Sequence, residues 1–277
     1  MSNPILSIIT INRNNAEGLR KTIESVLSQD VSDKTQIEYI IIDGASTDNS
    51  VDVIKSFENN QSNKLQITKW ISEPDSGIYN AMNKGIKMAT GEYCLFLNSG
   101  DYLVASDVLN NSISLSLKTS IVAGKLQVNL KNGKFGVVTP DKQISLNTFY
   151  RQSLPHQSTF IQTKLFEKYN FYDENYSLAA DWKFFFDTLF LNNETYSTVD
   201  LLISNFKGDG ASDKHDKIYQ KQLIDYLSKH INNKILFDYE KNFSIKKTEE
   251  YELLSRIKKN RFLLSLISKL FKFRDIL

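Results

Sequence analysis

The sequence predicts an α/β fold: a mostly parallel sheet with helices on both faces. Three observations predict it. Four apolar, β-branched runs recur in the first hundred residues, each followed by apolar residues at helical spacing. The runs are apolar on both faces, as strands buried in a parallel sheet are. The units repeat every 25 to 33 residues or about that, long enough for a strand, a crossover helix and two loops.

Ile5 to Ile11 opens the chain as a buried strand, and Asn12 to Asn15 breaks it. Leu19, Ile23, Val26 and Leu27 then mark a helix running to Gln29. A second strand, Ile37 to Ile42, ends at Asp43-Gly44. Ser46, Thr47 or Asp48 caps the next helix, which carries Val51, Ile54 and Phe57. A third strand is expected over Leu65 to Ile71, ending at Pro74-Asp75-Ser76-Gly77. Ile78 to Met88 is the third helix, with Gly91 as its stop. Tyr93 to Leu97 is the fourth strand, ending at Asn98-Ser99-Gly100-Asp101.

That architecture locates a site. Ligands of open parallel sheets bind beyond the carboxyl ends of the strands. Here those ends carry Asn12, Asp43, Asp75 and Asp101, an amide and three acids on one edge. No Gly-x-Gly-x-x-Gly follows the first strand and no Walker motif occurs. An acid-lined edge without a glycine cradle suits recognition of ribose, base and a metal ion.

The second half changes character. Asn132-Gly133 between strand-like runs in Ile121 to Val138 signals a hairpin. Ser158 to Gln162 is expected as a strand, Thr163 to Tyr169 as a short helix, and Ala179-Ala180-Asp181-Trp182 as a helix opening. A short strand at Val199 to Ser204 precedes the loop Lys207-Gly208-Asp209-Gly210-Ala211-Ser212, and from Lys217 the chain is mostly helical.

Composition narrows the function classes. Of 277 residues, 34 are Lys or Arg and 32 Asp or Glu, for a net charge of +2. This balance argues against a nucleic-acid binder. The hydrophobic share of 41% is enough for a core. A lone cysteine, Cys94, leaves no intramolecular disulfide and makes a cysteine zinc site unfavourable. No signal peptide and no apolar run of membrane-spanning length is found, so a cytoplasmic protein is expected.

The runs Ile5-Leu6-Ser7-Ile8-Ile9-Thr10-Ile11-Asn12-Arg13-Asn14 and Ile42-Asp43-Gly44-Ala45-Ser46-Thr47-Asp48 resemble family-2 glycosyltransferases of the GT-A, Rossmann-like fold. So do Glu73 to Gly85, Phe96 to Asp101, Pro155-His156-Gln157-Ser158-Thr159-Phe160 and Ala179 to Trp182. Six blocks in order over some 210 residues make a specific match, similar to bacterial O-antigen, capsule and exopolysaccharide enzymes.

The resemblance implies a transfer of sugar from a nucleotide-diphosphate donor, UDP by family weight, to a saccharide or lipid-linked acceptor, with inversion at the anomeric carbon. Residues 1–101 would be the donor-binding half of the domain, 102–216 the acceptor-binding half, and 217–277 a helical extension. Thr10, Asn12, Asp43, Asp75, Asn83, Lys84 and Asn98 would contact the donor. His156, Gln157 and Trp182 would line the sugar or acceptor pocket, and Asp181 would be the general base. Asp101 would hold Mn²⁺ or Mg²⁺, with His215 a further candidate. Asn98 and Gly100 stand where the family often has acids, which weakens the implied metal dependence. Each residue also has an ordinary structural reading. Asp43-Gly44 and Pro74-Asp75-Ser76-Gly77 are good turns, and Asp181 could cap a helix.

The end of the chain breaks the apparent neutrality. Residues 256–277 hold seven basic side chains against Asp275, a net +6, leaving −4 for the rest. At helical spacing, Arg261, Lys269 and Lys272 share one face, and Phe262, Leu266, Leu270 and Phe273 lie on the other. Such a tail suits an anionic membrane surface or packing on protein, and would make the enzyme peripheral at the inner face of the membrane. Two other functions stay open: a sugar nucleotidyltransferase, disfavoured by the glycine-free Asn12-Arg13-Asn14-Asn15 loop, and an inactive saccharide-binding homologue.

Overall fold

The computed structural model of the chain describes residues 3–58, 63–115, 117–130, 133–150, 153–207 and 216–246. His215 and the basic tail of residues 256–277 lie outside the described residues. The chain divides into two units, Met1–Leu223 and Ile224–Leu277.

In the first unit, β1 (Leu6–Asn12) is buried at all seven positions, as its unbroken apolar run requires. It lies between β2 (Ile37–Asp43) and β4 (Tyr93–Phe96), and β3 (Lys69–Ser72) flanks β2; all these pairs are parallel. The sheet continues from β4 through β8 (Thr159–Gln162), β6 (Ile121–Asn129) and β9 (Tyr196–Phe206) to β5 (Tyr102–Leu103). β7 (Phe135–Val138) pairs β6 antiparallel across the expected hairpin, where Gly133 takes φ +74°. The parallel order therefore stops at β4: β8 runs antiparallel to both β4 and β6, and β6 and β9 are parallel again.

Two strands differ from expectation. β3 begins at Lys69, not Leu65. Leu65 is buried, but its N–H goes to the Leu27 carbonyl at 3.1 Å, at the end of the first helix, instead of to a strand. β9 spans eleven residues because β6 supplies partners from Tyr196 to Phe206.

The helices pack as their spacing dictates. α1 (Ala16–Leu27) buries Leu19, Ile23, Val26 and Leu27, and Asn15 caps it by accepting the Gly18 N–H. Burying each such side chain contributes about 1.5–3 kcal/mol. α2 (Ser50–Glu58) buries Val53 and Ile54. α3 (Ile78–Met88) lies directly on β1, and a Cβ on its Gly85 would come within 2.4 Å of Ile9 Cγ2. α4 (Val108–Ser114), α5 (Leu146–Phe149) and α6 (Thr163–Lys168) follow, and α7 (Ala180–Phe185) continues into a π-helical turn, Phe186–Leu191. α8 (Asp216–His230) runs across the boundary of the units. In the second unit α9 (Asn233–Lys246) starts with Asn232 accepting the Lys234 N–H at 2.9 Å.

Candidate active site at the carboxyl edge of the sheet

The last residues of three strands stand in register, Asn12 opposite Asp43 and Asp43 opposite Ser72. The Asp43 carboxylate accepts from all sides. Asn12 Nδ2 (2.8 Å) and Ser46 Oγ (2.6 Å) donate to Oδ1, while the Ser46 N–H (2.9 Å) and Ser72 Oγ (2.7 Å) donate to Oδ2. Burial works against its charge, but the Ser46 and Ser72 hydroxyls, the Ser46 N–H and the Asn12 amide outweigh it. They hold the carboxyl below the usual carboxylate range.

Above this ladder lies a cavity of about 530 Å³ whose walls include Asn12, Arg13, Asp75, Gly77, Asn98 and Asp101. Asp43 is fully buried and does not line it; it fixes Asn12, which does. Asn12 Oδ1 is buried without a hydrogen-bond partner. Asp75 closes over Gly44, where a Cβ would meet its Oδ2 at 2.1 Å. Its Oδ1 accepts the Gly77 N–H at 3.2 Å and stands 3.6 Å from Arg13 Nη1. Gly77 holds φ +144°, a conformation only glycine adopts easily, and so turns the chain into α3 at the cavity wall.

The Asn98–Asp101 turn is tied down by α1. Thr22 Oγ1 accepts the Gly100 N–H (2.9 Å) and donates to the Asp101 carbonyl (2.7 Å), and Asn15 Nδ2 donates to the Ser99 carbonyl (2.9 Å). This presents the half-buried Asn98 and the 5% exposed Asp101 to the cavity. Asn98 Oδ1 is buried with no hydrogen-bond partner. Among the described residues no cluster of three His, Cys, Asp or Glu side chains gathers around a cation position. The Asp101 carboxylate at the cavity wall nonetheless fits an ion of the Mg²⁺ type, which keeps several waters and takes its remaining oxygens from substrate phosphates.

A second cavity of about 240 Å³ adjoins the first, and Ile78, Asn98 and Phe206 line both. It contains His156, Gln157 and Asp181. Asp181 sits in the first turn of α7, one residue inside the helix and not at its cap. Its Oδ1 accepts the Tyr79 hydroxyl (2.6 Å) and the Trp182 N–H (2.8 Å), and its Oδ2 faces His156 Nδ1 at 2.8 Å. Burial opposes the charge here too, but His156, then Tyr79 and the Trp182 N–H, hold the carboxyl below its ordinary range. Burial pushes the Tyr79 hydroxyl far up, reinforced by the neighbouring Asp181 charge, so it stays a proton donor.

Besides Asp43, four expected site residues stand elsewhere. Thr10 is fully buried with its hydroxyl 3.1 Å from that of Tyr39. Asn83 braces the 172–174 loop, donating to the Tyr172 carbonyl (2.9 Å) and accepting its N–H (3.0 Å). Lys84 binds the Pro74 carbonyl (2.7 Å) and Glu73 (2.8 Å). Trp182 is buried, stacked on Phe186, with Nε1 on the Phe149 carbonyl at 3.0 Å; it offers no face to a sugar. Conversely, the structure brings in Tyr79, Arg13 and Lys207, to which no role was given from sequence. Tyr79 had a usable signal, because Tyr79 and Asn83 fall one helical turn apart on one face.

Paired cavities at the carboxyl ends of the parallel strands stand where open α/β sheets bind their ligands. The chain belongs to glycosyl transferase family 2, whose family model matches residues 7–169. It is 34% identical over 193 residues to an uncharacterized glycosyltransferase of Mycobacterium tuberculosis, covering 66% of this chain and 68% of that protein. It is 29% identical over 187 residues to a PGL/p-HBAD biosynthesis glycosyltransferase of Mycobacterium bovis, covering 66% and 69%. Among solved structures it is similar in fold to S. aureus TarS 1-349 in complex with UDP-GlcNAc: TM-score 0.62, 20% identity, 89% of this chain and 77% of that one. Against the longer TarS chain the match spans 39% of that protein's length and 80% of this one, at TM-score 0.61 and 20% identity. The mannosyltransferase PcManGT of Pyrobaculum calidifontis, in complex with GDP-Man and Mn²⁺, matches at TM-score 0.56 and 12% identity, over 99% and 89%. The protein is thus a glycosyltransferase, and family membership removes the nucleotidyltransferase alternative. Among the described residues no helix is long and apolar enough to cross a membrane.

Proposed function

We propose that this enzyme is an inverting glycosyltransferase that moves a sugar from a UDP-sugar to a saccharide or lipid-linked acceptor in surface polysaccharide synthesis. The observation that carries it is the meeting of two cavities at Asn98, one containing Asp75 and Asp101, the other Asp181. The nucleotide occupies the larger cavity. There the orphaned Asn12 Oδ1 accepts from the base or ribose, Asp75 accepts a further hydrogen bond, and Arg13 and Lys207 face the diphosphate. Asp101 would hold a divalent cation, which when bound neutralises charge on the departing diphosphate. Asn98 Oδ1 accepts a donor-sugar hydroxyl at the junction. The acceptor enters the smaller cavity beside Gln157, and Asp181 as general base removes its hydroxyl proton as attack on the far face inverts the anomeric carbon. UDP-GlcNAc in TarS and GDP-Man with Mn²⁺ in PcManGT support the donor class and the ion.

A thermal-shift panel of UDP, GDP and their sugars, each with and without Mn²⁺, tests the donor site. UDP is expected to raise Tm, and more so with Mn²⁺, because a ligand that binds only the native state stabilises it. No shift with any nucleotide diphosphate would overturn the proposal. Asp181→Asn should abolish transfer while UDP binding survives; unchanged turnover rejects the proton-accepting role. The +6 composition of residues 256–277 supports contact with an anionic membrane, and their deletion is expected to release the protein from phosphatidylserine vesicles. Equal binding by the full and shortened chains rejects that contact.

A further inference from the structure

The hairpin of β6 and β7 turns apolar side chains outward. Phe135 is 61% and Val137 56% exposed, and Leu130 and Val138 are exposed beside them. The ladder sets which way each one stands. Phe135 lies opposite Asn129 and Val137 opposite Gln127, so these two share one face of the ribbon. Val138, opposite Leu126, stands on the other face. Leu130 joins that second face, where a Cβ on Gly136 would come within 3.5 Å of its Cδ2.

The stem of the same hairpin reaches the catalytic edge. Leu126 lines the smaller cavity, and Val128 stands in register with Phe206, which lines both cavities. Leu130 lies four residues beyond Leu126, about 13 Å along a strand.

Three properties select what covers this hairpin. Its apolar groups lie on both faces, so a protein packed on one face would leave the other in water, whereas the boundary zone of a bilayer surrounds both. β7 has only four residues and begins beside the exposed Lys134. Short edge strands bearing lysine resist pairing with a further strand, which disfavours a second copy of the chain. Residues 130–142 hold three lysines against one acid, a charge that complements anionic headgroups. That acid, Asp141, is engaged within the fold, its Oδ2 accepting the Thr148 hydroxyl at 2.8 Å. Among the described residues β7 pairs with β6 alone, and its outer backbone groups need water. The hairpin therefore reaches the headgroup boundary and goes no deeper.

We propose that the β6–β7 hairpin seats Phe135, Val137 and Leu130 in the headgroup boundary of an anionic membrane leaflet and so holds the acceptor cavity against the bilayer. The inference rests on the lipid-linked acceptor proposed above and adds where the enzyme meets that lipid. It does not depend on residues 256–277.

The full chain tests this with vesicles of phosphatidylcholine and phosphatidylserine, part of the lipid carrying brominated acyl chains. Phe135→Trp places a reporter on the hairpin. Its emission is expected to shift to the blue and to be quenched by the brominated lipid, beyond the background of Trp70 and Trp182 read from the wild-type protein. Vesicle-bound Phe135→Trp without that extra quenching overturns the proposal, because the protein is then held through another segment. Absence of vesicle binding overturns it too. The double variant Phe135→Ser/Val137→Ser changes exposed side chains only. It is expected to lower vesicle affinity about 10-fold or more, with Tm and UDP affinity unchanged. Lys134→Glu should lower affinity for the phosphatidylserine vesicles about fivefold or more. Undiminished affinity in either variant overturns the inference, as does a dimer in solution that the double variant dissociates while vesicles bind neither protein. The vesicle readout needs no nucleotide, so failure of the donor panel above leaves it readable.

Discussion

Asn12 and Asp43 face each other as the last residue pair of β1 and β2, and the amide of Asn12 donates to the carboxylate of Asp43 at 2.8 Å. The pair joins the fold to the site. Asp43 spends its charge on Asn12, Ser46 and Ser72, and Asn12 then presents an unpartnered Oδ1 in a residue that lines the cavity. Asp43→Asn leaves buried donors poorly matched, and a loss of about 1–3 kcal/mol at neutral pH is expected in urea unfolding. Because the folded Asp43 pKa lies below its unfolded value, the stabilisation is fully present above about pH 4 and is lost as pH falls through the folded value. The gap between wild type and variant should therefore narrow below pH 4. A constant gap down to pH 2 would show that the charge contributes nothing.

Asn83 gives the sharpest separation of structural from donor-binding roles. Its amide exchanges two hydrogen bonds with the Tyr172 backbone and also meets Glu174 at 3.1 Å. Asn83→Ala is expected to cost about 1–3 kcal/mol by leaving buried backbone groups unpaired, with UDP affinity unchanged. A large drop in UDP affinity without loss of stability would instead place Asn83 against the donor.

The way these residues were legible, or not, follows from range. β1, β2, β4 and α1 could be placed because burial on both strand faces and one helical stripe write themselves locally into apolar spacing. Thr10 and Asn12 fall on the same strand face, but Thr10 lies one repeat deeper, about 7 Å in from the strand end, so only Asn12 reaches the cavity. Leu65 imitates a strand residue because its burial is real, while its hydrogen-bond partner, Leu27, is 38 positions away and leaves no local trace. Trp182 was invisible for the same reason: whether its ring meets a sugar or the core depends on Phe149 and Phe186. The link from Tyr79 to Asp181 spans 102 positions, and no spacing rule encodes it.

Gly77 is the second backbone test. A side chain there would find open space, yet its φ of +144° is one that residues with a Cβ rarely adopt. Gly77→Ala is therefore expected to cost about 1–3 kcal/mol from strain alone and to weaken UDP binding, since the entry to α3 and the Asp75 contact move together. Calorimetric Tm and UDP titration check both; an unchanged Tm would mean the turn relaxes without cost.

Tyr79→Phe isolates one hydrogen bond of the Asp181 network. The ring contact with Tyr172, at 5.4 Å between centroids, is retained, and only the 2.6 Å bond to Oδ1 is removed. A hydrogen bond to a charged group contributes about 1.5–3 kcal/mol, so a loss in that range is expected at neutral pH. Without the hydroxyl, the Asp181 pKa should rise towards its ordinary value. Its depressed folded pKa means that the wild-type advantage is complete above about pH 4 and shrinks as pH falls through that folded value. Urea unfolding of both proteins between pH 7 and pH 3 measures the gap directly. If the gap stays constant, the Tyr79 hydroxyl is bonded no better to the carboxylate than to the neutral acid, and its share in holding Asp181 ionised falls.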